Sequence, residues 1–526
     1  PVYYHVRSES WVDYTEKKQG RLTPSHPFYW TNFRRTANRE CLDCHATGLE
    51  VSYDRHKRTW DTRFIDAGVA CEACHGPGRA HAESSAVADI VHPAKLDSER
   101  SMDLCGQCHG IRKPLYPLLD HENRFRPGQR YQDYYQLITA ASRSAGLLRD
   151  FFADGRPQAS SYEYTALIQS ECYSKGEATC LSCHVPPHGD YDLHELPRAP
   201  DGAGPWSDGD HTCRSCHAEM FRPGGGHSKH KTPEAQSCVA CHMPSVLSSV
   251  MDKFGDHALD VPAPQNTVRH GIPNACNVCH DDRSPAEMVS AMAEMWPNAL
   301  TRQQRRLRLA DAFADRKGED SSTAADGSTE PRGLVALRQV LADADEVPSL
   351  RGAAALRLAQ RYPDRAAAIL VGHADDASPL VRVQVIDALI LTRSPQTAAV
   401  ATKRLDDPEL LVRHQAAITL ASLQEPAGEA VVAAMTRDPR TAMLPQPHIG
   451  LGFYLLRRGD LDGAQAALER SLDLMPFSAQ ALILLADIQV RRRDAVRARA
   501  YLAEALRYEP GNRIAQRRMA ALQGRR

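Results

Sequence analysis

The pentapeptide Cys71-Glu72-Ala73-Cys74-His75 sets two thiols three residues apart and places an imidazole directly after the second. The same Cys-x-x-Cys-His spacing recurs at Cys41/Cys44/His45, Cys105/Cys108/His109, Cys180/Cys183/His184, Cys213/Cys216/His217, Cys238/Cys241/His242 and Cys276/Cys279/His280. Seven copies use fourteen of the fifteen cysteines and leave only Cys172. At this composition chance supplies on the order of 0.02 such pentapeptides, and the pattern is that of covalent haem attachment.

The chemistry needs this spacing. Two cysteines three positions apart on a turn of helix can each form a thioether with one vinyl group of the same porphyrin, and the next residue, His, then lies under the iron. Zinc would need two ligand pairs converging on each ion and gives no reason for a His after every second Cys. A thioredoxin-like redox pair needs neither the His nor the repetition. The expected cofactor is haem c, seven times. Its thioethers are expected at Cys41 and Cys44, Cys71 and Cys74, Cys105 and Cys108, Cys180 and Cys183, Cys213 and Cys216, Cys238 and Cys241, and Cys276 and Cys279. Aromatic residues make up only 6% of the chain, and seven porphyrins would replace much of a side-chain core. Their propionates would make the loaded protein more acidic than the formal net charge of -1.

Each proximal His fills one axial position, so seven others need ligands. Thirteen further histidines precede residue 300 and three follow it, which concentrates imidazole where the irons are expected. The best-placed candidates are His26, His81, His188, His211, His227, His230 and His257. His5, His56, His92, His121, His194 and His270 follow, each with the plain alternative of a hydrogen-bonded surface ring. Met243 follows a proximal His directly and is badly placed for the opposite face of its own haem. Cys172 is read as a buried, inert thiol, with a thiolate near an iron as the alternative.

A chain of 526 residues needs more than one core. Lys plus Arg (64) and Asp plus Glu (65) nearly cancel, so bulk charge points to neither nucleic acid nor a membrane surface. No run of eighteen apolar residues suggests a transmembrane segment. The chain opens at Pro1 without an apolar leader, so it is expected to be processed or truncated, any targeting segment being already gone. Residues 286–315 read as helix broken at Pro297, and 317–333 as a polar linker. Beyond it Arg351, Arg382 and Arg413 recur at a thirty-one-residue step, as do Leu358, Leu389 and Leu420, which suggests stacked helical pairs of HEAT type. Pro476 and Pro510, Leu472 and Leu506, and Ala464 and Ala498 recur at thirty-four, the tetratricopeptide period. Such a tail is either a protein-binding platform or a brace for the rest.

The phrases "CLDCHATGL", "GVACEACHGPGRAH", "QSECYSKGEATCLSCHVPPHG", "CVACHMP", "DHALDVPAP" and "GIPNACNVCH" resemble multihaem cytochromes of the nitrite reductase and hydroxylamine oxidoreductase type, in the subgroup with C-terminal HEAT and tetratricopeptide repeats. The resemblance spans residues 30–285. It implies a largely helical haem domain, closely stacked and mostly bis-His haems, and export to the periplasm or the extracellular side. It favours His81, His188, His230 and His257 as distal ligands. Relatives usually carry one more Cys-x-x-Cys-His near the N-terminus. The Cys-x-x-Cys-Lys haem of nitrite reductase is missing here, which weakens any transfer of that activity. The expected fold is mainly α, with a haem-packed cytochrome domain of little regular sheet (1–296), a helix and flexible linker (297–330), HEAT-like repeats (331–440) and tetratricopeptide repeats (441–526). The expected role is an electron carrier passing electrons along a haem chain to redox protein partners, with protein contacts through the repeats. The alternatives are a haem-based oxidoreductase of a small nitrogen or sulfur compound, or a subunit of a larger oligomer or filament.

Overall fold

The computed structural model describes the chain apart from residues 1, 6–7, 14–21, 25–28, 30, 118, 143–150, 160–161, 185–209, 222–226, 249–252, 315–329, 424, 440 and 524–526. His26, His188, His194 and most of the 317–333 linker lie outside the described residues. The chain is mainly helical, and every sheet among the described residues is a two-stranded antiparallel pair. It forms two compact units, each built from separated stretches. One comprises 1–93, 112–137 and 363–526; the other comprises 94–111 and 138–362. The first holds the Cys41 and Cys71 motifs and the second holds the other five.

In the first unit a hairpin pairs Glu50–Asp54 with Thr59–Arg63, setting Tyr53 opposite Trp60. Side chains alternate across a strand, and here Val51 and Tyr53 are buried while Glu50 and Ser52 face outward. The C-terminal helices begin where their sequences direct. Pro379, Pro426 and Pro445 occupy first-turn positions, where a missing N–H goes unnoticed. Asp460 and Asp494 cap Leu461–Leu474 and Ala495–Tyr508 by accepting from the Gly463 and Arg497 amides. These caps share the thirty-four-residue step, as do the buried Ala464 and Ala498 and the buried Leu468 and Leu502. Gly452 lets helix Pro445–Arg458 approach its neighbour, since a β-carbon there would lie 2.6 Å from Leu468 Cγ. One core joins the ends of this unit: Phe33 lies 5.6 Å from Trp60, 5.5 Å from Phe477 and 4.7 Å from Tyr508, ring centre to ring centre.

The thirty-one-residue arginine step also has a physical basis. Arg382 donates from Nη1 to the carbonyls of Asp376 and Ala377 at 2.8 and 3.0 Å. Arg413 makes the same pair of bonds to Asp407 and Pro408 at 2.6 and 2.8 Å. Each arginine therefore ties the turn before its own helix. Arg351, in the second unit, reaches back to the Leu341 carbonyl at 3.0 Å instead.

His414, on helix Leu410–Leu423, is 6% exposed and its Nε2 is buried without a partner. Burial, reinforced by the Lys113 charge, lowers its pKa to about 4. Between that value and the unfolded value of about 6.5 the unfolded chain binds a proton that the folded chain refuses, so stability falls as pH drops through this window, by about 3 kcal/mol in all. Denaturant titrations from pH 7 to pH 4 should show this slope, and His414→Leu should flatten it.

In the second unit Ser98–His109 is capped by Asp97, which accepts from the Arg100 amide. Ser284 and Glu287 form a reciprocal capping box at the start of Pro285–Met295. Helix Ala299–Phe313 follows beyond Pro297, and Arg332–Ala342 and Pro348–Arg361 complete the unit.

Candidate metal centres

The Cys-x-x-Cys-His motifs lie on short helical turns. Leu42–His45, Cys71–His75, Asp210–Cys216, Cys238–His242 and Cys276–Cys279 carry five; the end of Ser98–His109 and the turn Cys180–Ser182 carry the others. The His amide donates to the carbonyl of the first Cys at His45 (3.0 Å), His184 (2.8 Å), His217 (2.9 Å) and His280 (2.9 Å). That bond closes one turn and brings positions i, i+3 and i+4, both thiols and the imidazole, to one face.

The second thiol of each motif differs in its surroundings. Cys44, Cys74, Cys108 and Cys241 are half-buried, whereas Cys183, Cys216 and Cys279 are exposed. Cys74, Cys108 and Cys241 share their turns with His75, His109 and His242, three motif rings that, among the described residues, are held by a hydrogen bond from outside the motif. Arg112 steadies the first motif by donating to Asp43 at 2.7 Å and approaching Cys44 Sγ at 3.6 Å. In the second unit the Cys105 and Cys180 thiols, first members of two different motifs, meet, and this contact followed by burial raises the Cys105 pKa. None of the fifteen cysteines forms a disulfide. Among the described residues no group of three or more His, Cys, Asp or Glu side chains is arranged to hold a metal by itself.

The hydrogen bonds at the imidazoles fix which nitrogen can bind a metal. His75 Nδ1 meets the Val91 carbonyl at 2.7 Å and His242 Nδ1 the Asp260 carbonyl at 3.1 Å. His109 Nδ1 meets the Glu163 carboxylate at 2.8 Å. The expected distal residues behave alike: His81 Nδ1 lies 2.9 Å from the Ala86 carbonyl, His230 Nδ1 2.6 Å from that of Ser228, and His257 Nδ1 3.1 Å from that of Gly255. A carbonyl only accepts, so Nδ1 carries the proton and Nε2 the lone pair, as in metal-ligating histidines with a second-shell acceptor. Burial holds His184 and His242 below the usual imidazole pKa, which favours the neutral ring.

Among the described residues three histidines of the motifs have a second His ring nearby. His184 and His257 have centres 6.3 Å apart and planes 22° apart. His227 and His242 stand at 6.0 Å and 14°, and His230 and His280 at 6.3 Å and 36°. In each pair one member belongs to a Cys-x-x-Cys-His motif and the other comes from elsewhere in the sequence. His211 lies on helix Asp210–Cys216. His270 is engaged differently: its side chain, 4% exposed, puts Nε2 2.9 Å from Asp311. Cys172 is half-buried on Glu171–Ser174, and burial, then the neighbouring Cys213 and Cys216, raises its thiol pKa.

Residues 7–76 match the family model of cytochrome c554 and c-prime. This stretch contains the first two Cys-x-x-Cys-His motifs. The match supports a c-type cytochrome with covalently bound haem c and an electron-transfer role. No curated protein matches the chain. Among the described residues no helix is long and apolar enough to cross a membrane.

The side chains fit such a group. With metal–nitrogen distances of about 2.0–2.1 Å, two imidazoles that shared one metal ion would have ring centres about 6.2 Å apart. The three facing pairs have this spacing. Arg306, buried on Ala299–Phe313, donates from Nε to Asp260, yet its Nη1 and Nη2 are buried without an acceptor. Two orphaned guanidinium donors suit a carboxylate, and haem carries two. Asp260 joins these features, since its carbonyl meets His242 while its side chain meets Arg306.

Neither Arg306 nor Asp260 belongs to a Cys-x-x-Cys-His motif. A sequence signal existed for Arg306, which lies on the buried stripe Ala299, Gln303, Arg306, Ala310, Phe313, a charge on a core-facing face of a helix. No comparable signal marks the Asp260 carbonyl, which acts through its backbone.

Proposed function

We propose that the chain is an electron-transfer cytochrome with seven covalently attached haems, most of them six-coordinate with two imidazoles. The thioethers are assigned to both thiols of every motif, the half-buried Cys74, Cys108 and Cys241 as much as the exposed Cys183, Cys216 and Cys279. Haem supplies a one-electron iron couple within its axial ligand field. The protein's part is to hold the same two ligands in both oxidation states, so that little reorganises on electron gain or loss. The observation that carries this reading is the set of facing imidazole pairs, His184 with His257, His242 with His227 and His280 with His230. Four irons remain, over His45, His75, His109 and His217, and four sequence candidates remain for them: His26, His81, His188 and His211. His81 is supported by its Nδ1 bond to Ala86, which directs Nε2 outward as a donor to metal.

Within the c-type cytochromes we assign the chain to the nitrite reductase and hydroxylamine oxidoreductase type, exported to the periplasm or beyond and served by redox protein partners. The helical tail is read as HEAT-like and tetratricopeptide repeats. The aromatic core shared by Phe33, Trp60, Phe477 and Tyr508 supports a bracing role for the tetratricopeptide part.

Electron paramagnetic resonance of the oxidised protein, followed by titration with cyanide, nitrite and carbon monoxide, tests the carrier reading. Low-spin irons that ignore added ligand are expected. A high-spin iron that binds nitrite would favour catalysis. Mass spectrometry of the denatured protein should retain seven haems, and Cys172→Ser should leave every haem spectrum as it is.

A further inference from the structure

We propose that Trp296 is a positioning residue that holds the distal imidazoles of two irons at once. The proposal rests on His227 and His230 acting as distal ligands, as above. These residues are three apart, yet their rings face different partners, His242 and His280. Residues 227–230 belong to no helix or strand. Between the two rings Lys229 sits at φ +59°, a left-handed conformation uncommon for a residue with a β-carbon. A short irregular segment therefore has to fix two ring directions, with a turn of unfavourable backbone between them.

Trp296 supplies support to both members. Its Nε1 donates to the His227 carbonyl at 2.7 Å, and its indole lies against the His230 ring with centres 6.2 Å apart and planes 26° apart. His230 is thus held between His280 on one contact and the indole on another. Trp296 is itself fixed, because it caps Pro285–Met295 with its amide on the Met292 carbonyl at 2.8 Å and is followed by Pro297. One indole at the end of a well-capped helix therefore braces two ligands through two separable interactions, a hydrogen bond for His227 and a ring contact for His230. Gln236, which donates to the His230 carbonyl at 3.0 Å, secures only the second.

The separability gives the test. In the full-length, haem-loaded protein His227→Ala and His230→Ala should each turn one iron high-spin and open it to carbon monoxide, with added imidazole reversing the change. Trp296→Phe keeps a ring and loses the N–H, so it should perturb the iron assigned by His227→Ala and spare the one assigned by His230→Ala. Trp296→Leu loses both interactions and should perturb the two irons together, with the others unchanged. If the histidine variants behave as stated but both tryptophan variants keep every iron low-spin with unshifted signals, the positioning role is overturned and the ligand assignment stands. If neither histidine variant changes an iron, both fall. Should Trp296→Leu fail to fold, Trp296→Phe decides alone, an undisturbed His227 iron counting against the proposal.

Discussion

His257→Ala should leave one iron with a single imidazole, turning it high-spin and able to bind carbon monoxide while the other irons keep their spectra. The expectation follows from the facing pair His184 and His257, whose centres are 6.3 Å apart. The His257 backbone is independently anchored, so the substitution should remove the ligand without moving the loop. Asp256 pairs with the guanidinium of Arg156, which also holds Asp154 at 2.7 Å, and the Ala258 amide donates to Asp256 at 3.0 Å. Free imidazole should restore the low-spin signal by filling the gap. Measured by magnetic resonance and carbon monoxide difference spectra, an unchanged protein would mean that another group completes the His184 iron, and the pairing would fail.

Phe477→Ala should lower the stability of the first unit by about 3–5 kcal/mol, the usual loss for a large aromatic removed from a core. Phe477 is buried and lies 5.5 Å from Phe33 and 6.3 Å from Trp60, centre to centre. Tyr508 completes the cluster at 2% exposure, with its hydroxyl 3.5 Å from that of Tyr53, while Arg507 donates to Tyr53 at 3.2 Å. Since Phe33–Arg35 leads directly into the helices around Cys41, the loss should also loosen the first motif and expose it to proteolysis. Thermal unfolding and limited digestion check this. Wild-type behaviour of Phe477→Ala in both would show that the C-terminal helices do not brace this region.

The motifs were legible because the chemistry is local. Two thiols and a ring must share one helical turn, and five consecutive residues contain all of that information. The C-terminal helices were legible for a related reason: repeated caps and buried alanines obey a fixed step, seen in Asp460 with Asp494 and Ala464 with Ala498. Which His meets which could not be read, since His184 and His257 are brought together by the intervening fold rather than by spacing. The burial of individual thiols could not be read either: Cys74, Cys108 and Cys241 are half-buried and Cys183 and Cys279 are not, although the pentapeptides around them are alike. Nor could the division into units, because 112–137 joins the N-terminal stretch through contacts such as Arg112 with Asp43 and 363–526 through rings such as Phe477 against Phe33, none of which carries a pairing signal in the sequence. Carbonyl acceptors such as Val91 and Asp260 depend on backbone position alone, and any side chain there leaves the same trace in the sequence.

The cluster uniting Tyr53 with Tyr508 has a consequence for how the molecule is made. The two tyrosines are 455 positions apart, and a ribosome adding about 5–20 residues per second needs roughly 20–90 s to travel from one to the other. Throughout that interval the apolar rings of Phe33, Tyr53 and Trp60 lack their C-terminal partners, while the thiols at Cys41 and Cys71 have already been synthesised. The aromatic cluster can therefore close only after the helix carrying Tyr508 has been made, and a nascent chain paused before residue 477 would leave those rings without their partners and prone to clumping.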